Sequence, residues 1–296
     1  MTELIIPIGM PGCGKSTWAE GLKEKGYAVH SSDVIRILRG LPAMDTSVFD
    51  ELRSNIKADL EQGISCICDA TNLSRKYRLR TISSVRTPDT HVKAVLFVSD
   101  LNKCKQRNAN RTGSACVPDY VYDRMLRNFH VPLKSEGYDE IEIIWDNEEC
   151  KPLSGLDEFK QDNHHHTLSL GEHISKTAGY VAKHSPDEKL FWAAHLHDIG
   201  KAVTKKFENA KGEPTDEAHY YGHERAGAYL LLERCGYLRE KFSDEDMLEI
   251  ATLIEFHMRP FVWAKSDKAL EKDRRLIGDR LVDELILLHE GDVAAK

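Results

Sequence analysis

The stretch that most limits what this chain can become is Gly9-Met10-Pro11-Gly12-Cys13-Gly14-Lys15-Ser16. It follows a short apolar run, Leu4-Ile5-Ile6-Pro7-Ile8, and precedes Thr17-Trp18-Ala19-Glu20, which has the character of a helix start. Strand, glycine-rich loop and helix in that order fit G-x-x-x-x-G-K-[ST] in the setting that gives the pattern meaning. The glycines let successive backbone N–H groups turn inward around phosphate oxygens, and the helix N-terminus adds partial positive charge. Gly9, Gly12, Cys13, Gly14, Lys15, Ser16 and Thr17 are therefore expected to grip ATP or GTP. Lys15 would reach the β- and γ-phosphates, and Ser16 would ligate Mg²⁺. A plain glycine turn would need no Lys-Ser pair at this spacing.

The residues that follow alternate between strand and helix patterns. Tyr27-Ala28-Val29-His30 reads as a second strand, running into Ser31-Ser32-Asp33 and a helix through Arg39. Ser32 or Asp33 could cap that helix. Asp33 also stands where ligands of open α/β sheets bind, at the carboxyl end of a strand. There it could take the proton of an attacking hydroxyl as general base, with Arg36 one turn on to hold a substrate phosphate. A helical pattern spans 43–62. Ile64 to Cys68 is a strand closed by Asp69, an acid placed to act on Mg²⁺ or its waters. A basic helix runs from Ser74 to Arg86, a fourth strand from His91 to Val98, and a helix from Asp100 to Asn110. Arg107 and Arg111 share a face at i,i+4 spacing. A break at 111–118 and a helix from Asp119 to His130 resemble a lid whose arginines neutralise a transferred phosphoryl group. Glu140 to Trp145 alternates as an edge strand would. Together these segments imply a parallel sheet with helices on both faces.

Composition narrows the class. Hydrophobic residues make up 41% and charged residues 30%, and no apolar run approaches the ~20 residues of a membrane span. The seven cysteines form no C-x-x-C pair, which suits reduced thiols and a cytoplasmic setting. No secretory leader is visible. The formal charge of −7 excludes a generally basic nucleic-acid platform, so any such binding must use a local patch. Arg75, Lys76, Arg78, Arg80 and Arg86 form one basic cluster, and Lys103, Lys105, Arg107 and Arg111 another. Each could equally be a solvated helix face.

Four motifs in order, G-x-P-G-x-G-K-S-T-W, S-S-D-V-I-R, D-A-T-N-L and N-R-T-G…V-P, resemble the polynucleotide 5′-kinase branch of P-loop kinases over about residues 1–146. The resemblance implies an α/β P-loop kinase domain. It implies that Asp33 is the general base, Arg36 the clamp on a substrate 3′ phosphate, and Arg111 the lid arginine. Ser32 departs from members that carry a second acid there.

Residues 149–163 are polar, without clear period, and contain Lys151-Pro152-Leu153-Ser154-Gly155, as a linker would. The expected domains are 1–148 and 164–296. The second carries helical patterns and no strand pattern, so an all-α bundle is expected. His173 lies on its first helix, and an apolar helix from Leu190 ends in His197-Asp198-Ile199-Gly200-Lys201. His219, His223 and Glu224 open another helix. Met247 to His257 is a further one, and Arg274 to Ala295 the last. This arrangement resembles the HD phosphohydrolase superfamily. It implies a site of His173, His197, Asp198 and Asp292, with Asp279 and Asp283 as rivals for the last position. His223 and His257 match the places where some members add two histidines for a second metal. Mixed nitrogen and carboxylate donors suit Mn²⁺, Fe²⁺, Co²⁺, Ni²⁺ or Zn²⁺. Lys201, one turn past the metal pair, could bind the substrate phosphate. His164, His165 and His166 could line the same cleft or lie on the surface.

A 5′-kinase joined to a metal phosphohydrolase matches the needs of a broken strand with a 5′-OH and a 3′ or 2′,3′-cyclic phosphate. The expectation is thus a bifunctional enzyme acting on nucleic-acid ends, RNA rather than DNA, with a separate RNA ligase as a possible partner and no membrane. No D-x-D-G-T phosphatase loop is present. The alternatives are a small-molecule or nucleoside kinase fused to an HD nucleotidase, and an ATP-sensing switch with an HD effector.

Overall fold

The computed structural model describes residues 1–42, 45–111, 116–147, 151–164 and 167–296. They divide into two compact units: residues 1–122 with 132–149, and residues 123–131 with 150–296.

The first unit holds a parallel five-stranded sheet in the order β2-β3-β1-β4-β5. The strands are β1 (Thr2–Ile8), β2 (Ala28–Ser31), β3 (Cys66–Asp69), β4 (Thr90–Ser99) and β5 (Glu140–Asp146). Helices α1 (Lys15–Lys23), α2 (Ser32–Arg39), α3 (Val48–Glu61), α4 (Arg75–Val85) and α5 (Leu101–Ala109) connect them. β1 is central, and Leu4, Ile6 and Ile8 are fully buried. β5 is an edge, as its alternation implies. β1 lies between β3 and β4, so the glycine-rich loop leaves the carboxyl edge where the strand order reverses. Ser31 of β2 is in register with Asp69 of β3. That register puts Asp33 and Asp69 at the same edge of the sheet.

Several boundaries differ from the sequence pattern. α3 starts at Val48 rather than near 43, because the Asp45 carboxylate accepts from the Ser47 N–H at 2.8 Å and its hydroxyl at 2.6 Å, a local turn that competes with helix. α6 (Asp119–Leu126) stops short of His130. The N-cap of α2 is Ser31, with no side-chain capping bond, so neither Ser32 nor Asp33 caps it.

The second unit contains α7 (Leu170–His184), α8 (Glu188–Leu196), α9 (Lys201–Thr204), strands β6 (Lys206–Glu208) and β7 (Pro214–His219), then α10 (His223–Arg234), α11 (Asp244–Phe256), α12 (Pro260–Trp263), α13 (Asp267–Ile277) and α14 (Asp279–Ala294). Capping boxes fix two starts: Ser169 with Glu172 at α7, and Ser243 with Asp246 at α11. The unit is helical, as expected, and carries in addition the antiparallel β6–β7 hairpin, which no strand pattern in the sequence signalled. His219 therefore ends a strand and does not open a helix. The run from Arg274 onward is two helices, broken at Gly278 with φ +85°. Residues 123–131 pack within this unit. Phe129 meets Tyr229 edge-on at 5.3 Å, and Glu255 accepts from the Val131 N–H at 2.8 Å. Among the described residues, no helix is long and apolar enough to cross a membrane.

Candidate functional sites

In the first unit the loop geometry follows from its glycines. Gly12 has φ +82°, and a Cβ there would lie 2.3 Å from the Cys104 carbonyl oxygen. Only glycine fits that turn and that approach. Lys15 is buried, and its ammonium donates to the Gly9 and Met10 carbonyls at 2.9 and 2.8 Å. The Ser16 hydroxyl donates to the Asp69 carboxylate at 3.1 Å, which brings together the two residues expected at Mg²⁺. Thr17 is exposed on the first turn of α1. Asn72, which had no assigned role, braces the loop's foundations: its amide donates to the Pro7 and Cys68 carbonyls at 2.8 and 2.9 Å. Beside it, the Gly9 N–H donates to the Thr71 carbonyl at 3.0 Å.

Asp33 accepts from Arg36 at 2.7 Å, and its side chain is 62% exposed. Arg36 also donates to the Asp45 carbonyl at 3.3 Å. Arg107 binds Asp146 at 2.8 Å and reaches the Gly12 carbonyl at 3.4 Å. Arg111 follows the end of α5, its N–H donating to the Asn108 carbonyl at 2.9 Å. Of the expected lid break at 111–118, residues 112–115 lie outside the described residues.

The first basic cluster does not act as one patch. Arg75 and Arg78 are buried, and Arg78 donates to both oxygens of buried Glu136 at 2.8 and 2.6 Å. Arg86 pairs with Asp139 at 3.0 Å. Lys76 and Arg80 remain at the surface.

In the second unit, α7, α8, α10, α11 and α14 bring one polar cluster together in the interior. His173, His197, His257 and Asp198 are each at most 2% exposed, Asp292 6% and His223 8%. Asp198 is the centre. Its Oδ2 lies 3.4 Å from the Nε2 of both His173 and His197. Its Oδ1 lies 3.2 Å from His223 Nε2 and 3.6 Å from His257 Nε2. Asp292 Oδ1 is 3.1 Å from His173 Nε2. The rivals Asp279 and Asp283 are 79% and 71% exposed and face Arg274.

The backbone orients the rings. His197, His223 and His257 each use Nδ1 on a carbonyl three residues earlier, of Ala194, Tyr220 and Ile254, at 2.8 Å. This points every Nε2 inward, the outer-shell bonding that metal-ligating histidines require. His197 Nε2 is buried without a hydrogen bond among the described residues. An unsatisfied nitrogen amid carboxylates suits a divalent transition ion. The charges agree. Burial pulls His173 down, but Asp198 and Asp292 outweigh it and lift its pKa to about 9. Burial raises Asp198, yet Lys201, His197 and His173 hold it well below the usual carboxylate range. Asp198 is thus kept ionised in the interior, where a buried carboxylate requires positive charge beside it.

Lys201 donates to Asp198 at 2.6 Å and to the Gln161 side-chain oxygen at 2.8 Å. Its ammonium lies 5.5 Å from the centre of the Tyr220 ring, whose hydroxyl donates to the Gln161 carbonyl. Gln161 lies in the stretch read as linker, and neither it nor Tyr220 carries a motif. A cavity of about 430 Å³ opens beside Asp198, Lys201, His223, His257 and Asp292. Of the three consecutive histidines, His164 is exposed and pairs with Glu217 at 2.7 Å, while His165 and His166 lie outside the described residues.

A family model described as an AAA domain matches residues 4–132, and one described as an HD domain matches residues 164–292. No curated protein matches the chain in sequence. Similar solved structures include an unliganded sugar kinase from Janibacter sp. HTCC2649, at 21% identity, covering 49% of this chain and 86% of that one, with a TM-score of 0.38. A fungal RNA kinase is similar at 13% identity over 86% of this chain and 96% of that one, with a TM-score of 0.35. At such scores neither likeness bears on substrate. The chain therefore joins a P-loop, kinase-like domain, matched over residues 4–132, to an HD domain, matched over residues 164–292.

Proposed function

We propose that this protein heals broken nucleic-acid ends, RNA in preference to DNA, by phosphorylating a 5′-OH and removing a 3′, 2′ or 2′,3′-cyclic phosphate. A separate ligase would then join the ends. The observation that carries the reading is the Asp33–Arg36 pair, an accessible carboxylate held at 2.7 Å by a guanidinium at the sheet edge that carries the phosphate loop. A nucleotide sensor needs no such pair; a phosphoryl transferase with a phosphate-bearing acceptor does.

In the first site ATP or GTP would lie on the loop with Mg²⁺ held by Ser16 and Asp69. Asp33 takes the proton of the 5′-hydroxyl. That oxygen bonds to the γ-phosphorus as the bond to the β–γ bridging oxygen breaks, and the nucleoside diphosphate departs. Arg36 holds the acceptor's neighbouring phosphate. Lys15, Arg107 and Arg111 offset charge on the transferred group.

In the second site His173, His197, Asp198 and Asp292 would hold one divalent ion, and His223 and His257 with Asp198 a second. Such ions lower the pKa of water and polarise a phosphoryl oxygen. Lys201, braced by Gln161, neutralises the substrate phosphate, and the 430 Å³ cavity admits a strand's terminal nucleotide.

Labelled ATP offered with a 5′-OH oligonucleotide, and separately with free nucleosides, tests the reading. Label transferred to the oligonucleotide is expected. Label found only on nucleosides would favour a metabolite kinase fused to an HD nucleotidase.

A further inference from the structure

Beside the acceptor pair lies a line of rings with no role in the chemistry above. The Arg36 guanidinium sits 5.6 Å from the centre of the Phe49 ring. Phe49, on α3, stacks on Tyr77 of α4 at 5.5 Å and 26°. Tyr77 is 42% exposed, so the outer end of the line stands in solvent. Arg80 follows Tyr77 by one turn, is 61% exposed, and is held by Asp50 at 3.0 Å. Lys76 is exposed next to it.

We propose that Tyr77, backed by Phe49, forms a stacking shelf for the nucleobases near the reacting end, with Arg80 and Lys76 meeting the backbone phosphates. This rests on the kinase reading and names its substrate class: a single-stranded polynucleotide of about three or more nucleotides, not a nucleoside. Length supports the assignment. One guanidinium-to-ring step and one ring-to-ring step place Tyr77 at most about 11 Å from Arg36, close to the reach of three stacked nucleotides at about 3.4 Å each. Chemistry supports it too, because aromatic faces flanked by cations bind single strands with little regard to sequence. The shelf is continuous with the catalytic carboxylate through Arg36, so a strand seated on it presents its 5′ end to Asp33.

The test measures KM and kcat for 5′-OH acceptors from a nucleoside 3′-monophosphate up to an eight-nucleotide strand, in the unaltered protein, Tyr77→Ala and Tyr77→Phe. In the unaltered protein KM should fall with length and level off near three or four nucleotides. Tyr77→Ala should raise KM for the longer strands about 5- to 150-fold, the range that loss of one stacking contact gives. It should leave kcat, KM for ATP and KM for the 3′-mononucleotide unchanged, and Tyr77→Phe should restore the length effect. Anisotropy of a labelled strand should show the same loss without turnover. A KM independent of length, or a Tyr77→Ala protein that keeps the length effect, overturns the shelf while leaving the kinase reading standing. Failure to phosphorylate any polynucleotide overturns the kinase reading and the shelf with it.

Discussion

Asp33 leaves 62% of its side chain exposed, whereas Asp198 leaves 3%. Both carboxylates are proposed to serve phosphoryl chemistry, yet they stand in opposite surroundings. The first site is backbone and short-range: one loop supplies the phosphate cradle, and Asp33 meets Arg36 three residues away. The second is made of side chains from five helices, and its two ends, His173 and Asp292, are more than a hundred residues apart. An open site suits ligands that come and go, a nucleotide with its Mg²⁺ and a strand end. A buried site of inward nitrogens and carboxylates suits a resident ion, because removing the ion leaves polar groups in a dry interior.

That contrast can be broken at several points. The largest effect is expected from metal removal. After chelation and return of Mg²⁺ alone, 5′ phosphorylation should recover fully, while phosphate release should stay at background until a transition ion is added. Recovery of both with Mg²⁺ would erase the distinction between visiting and resident ions. Next, Asp33→Asn should lower kcat for 5′ phosphorylation by about 10²–10⁴-fold, the usual worth of a general base, with phosphate release unchanged. Third, Glu136→Ala should destabilise the first unit by about 3–5 kcal/mol in denaturant unfolding, because buried Arg78 would lose its carboxylate partner. A loss within the error of unfolding measurements would mean that this ion pair is replaceable by water. The smallest effect is expected from Gln161→Ala, about 10-fold in phosphate release with 5′ phosphorylation intact, since it removes one of the partners that orient Lys201 and leaves the Asp198 contact in place.

The same contrast explains what the sequence made legible. Strand, glycine loop and helix are local events, and so is the Asp33–Arg36 spacing; they could be read from adjacent residues. The histidine set was legible through its residue types and its resemblance to a known pattern, not through periodicity. Features that depend on distant partners were hidden. Arg75 and Arg78 look like surface bases until Glu136, 58 residues from Arg78, is placed between them. Gln161 has no pattern and gains its position from the Lys160–Ser169 bridge and the Tyr220 hydroxyl. The β6–β7 hairpin is short and polar, and its signal lay only in the Asn209 turn, whose side chain accepts from the Lys211 and Glu213 N–H groups. Gly278 divided a long helical pattern because its φ of +85° lies outside helical backbone.

The central claim is that two independent sites act on the two ends of one break. A doubly marked oligonucleotide, with a 5′-OH and a labelled 3′ phosphate, offered with ATP to the unaltered protein, Asp33→Ala and Asp198→Ala, tests it most directly. The account predicts that Asp33→Ala loses only 5′ phosphorylation and Asp198→Ala loses only 3′ phosphate release. If either substitution, in a protein still folded, abolished both activities together, the two-site account would be contradicted.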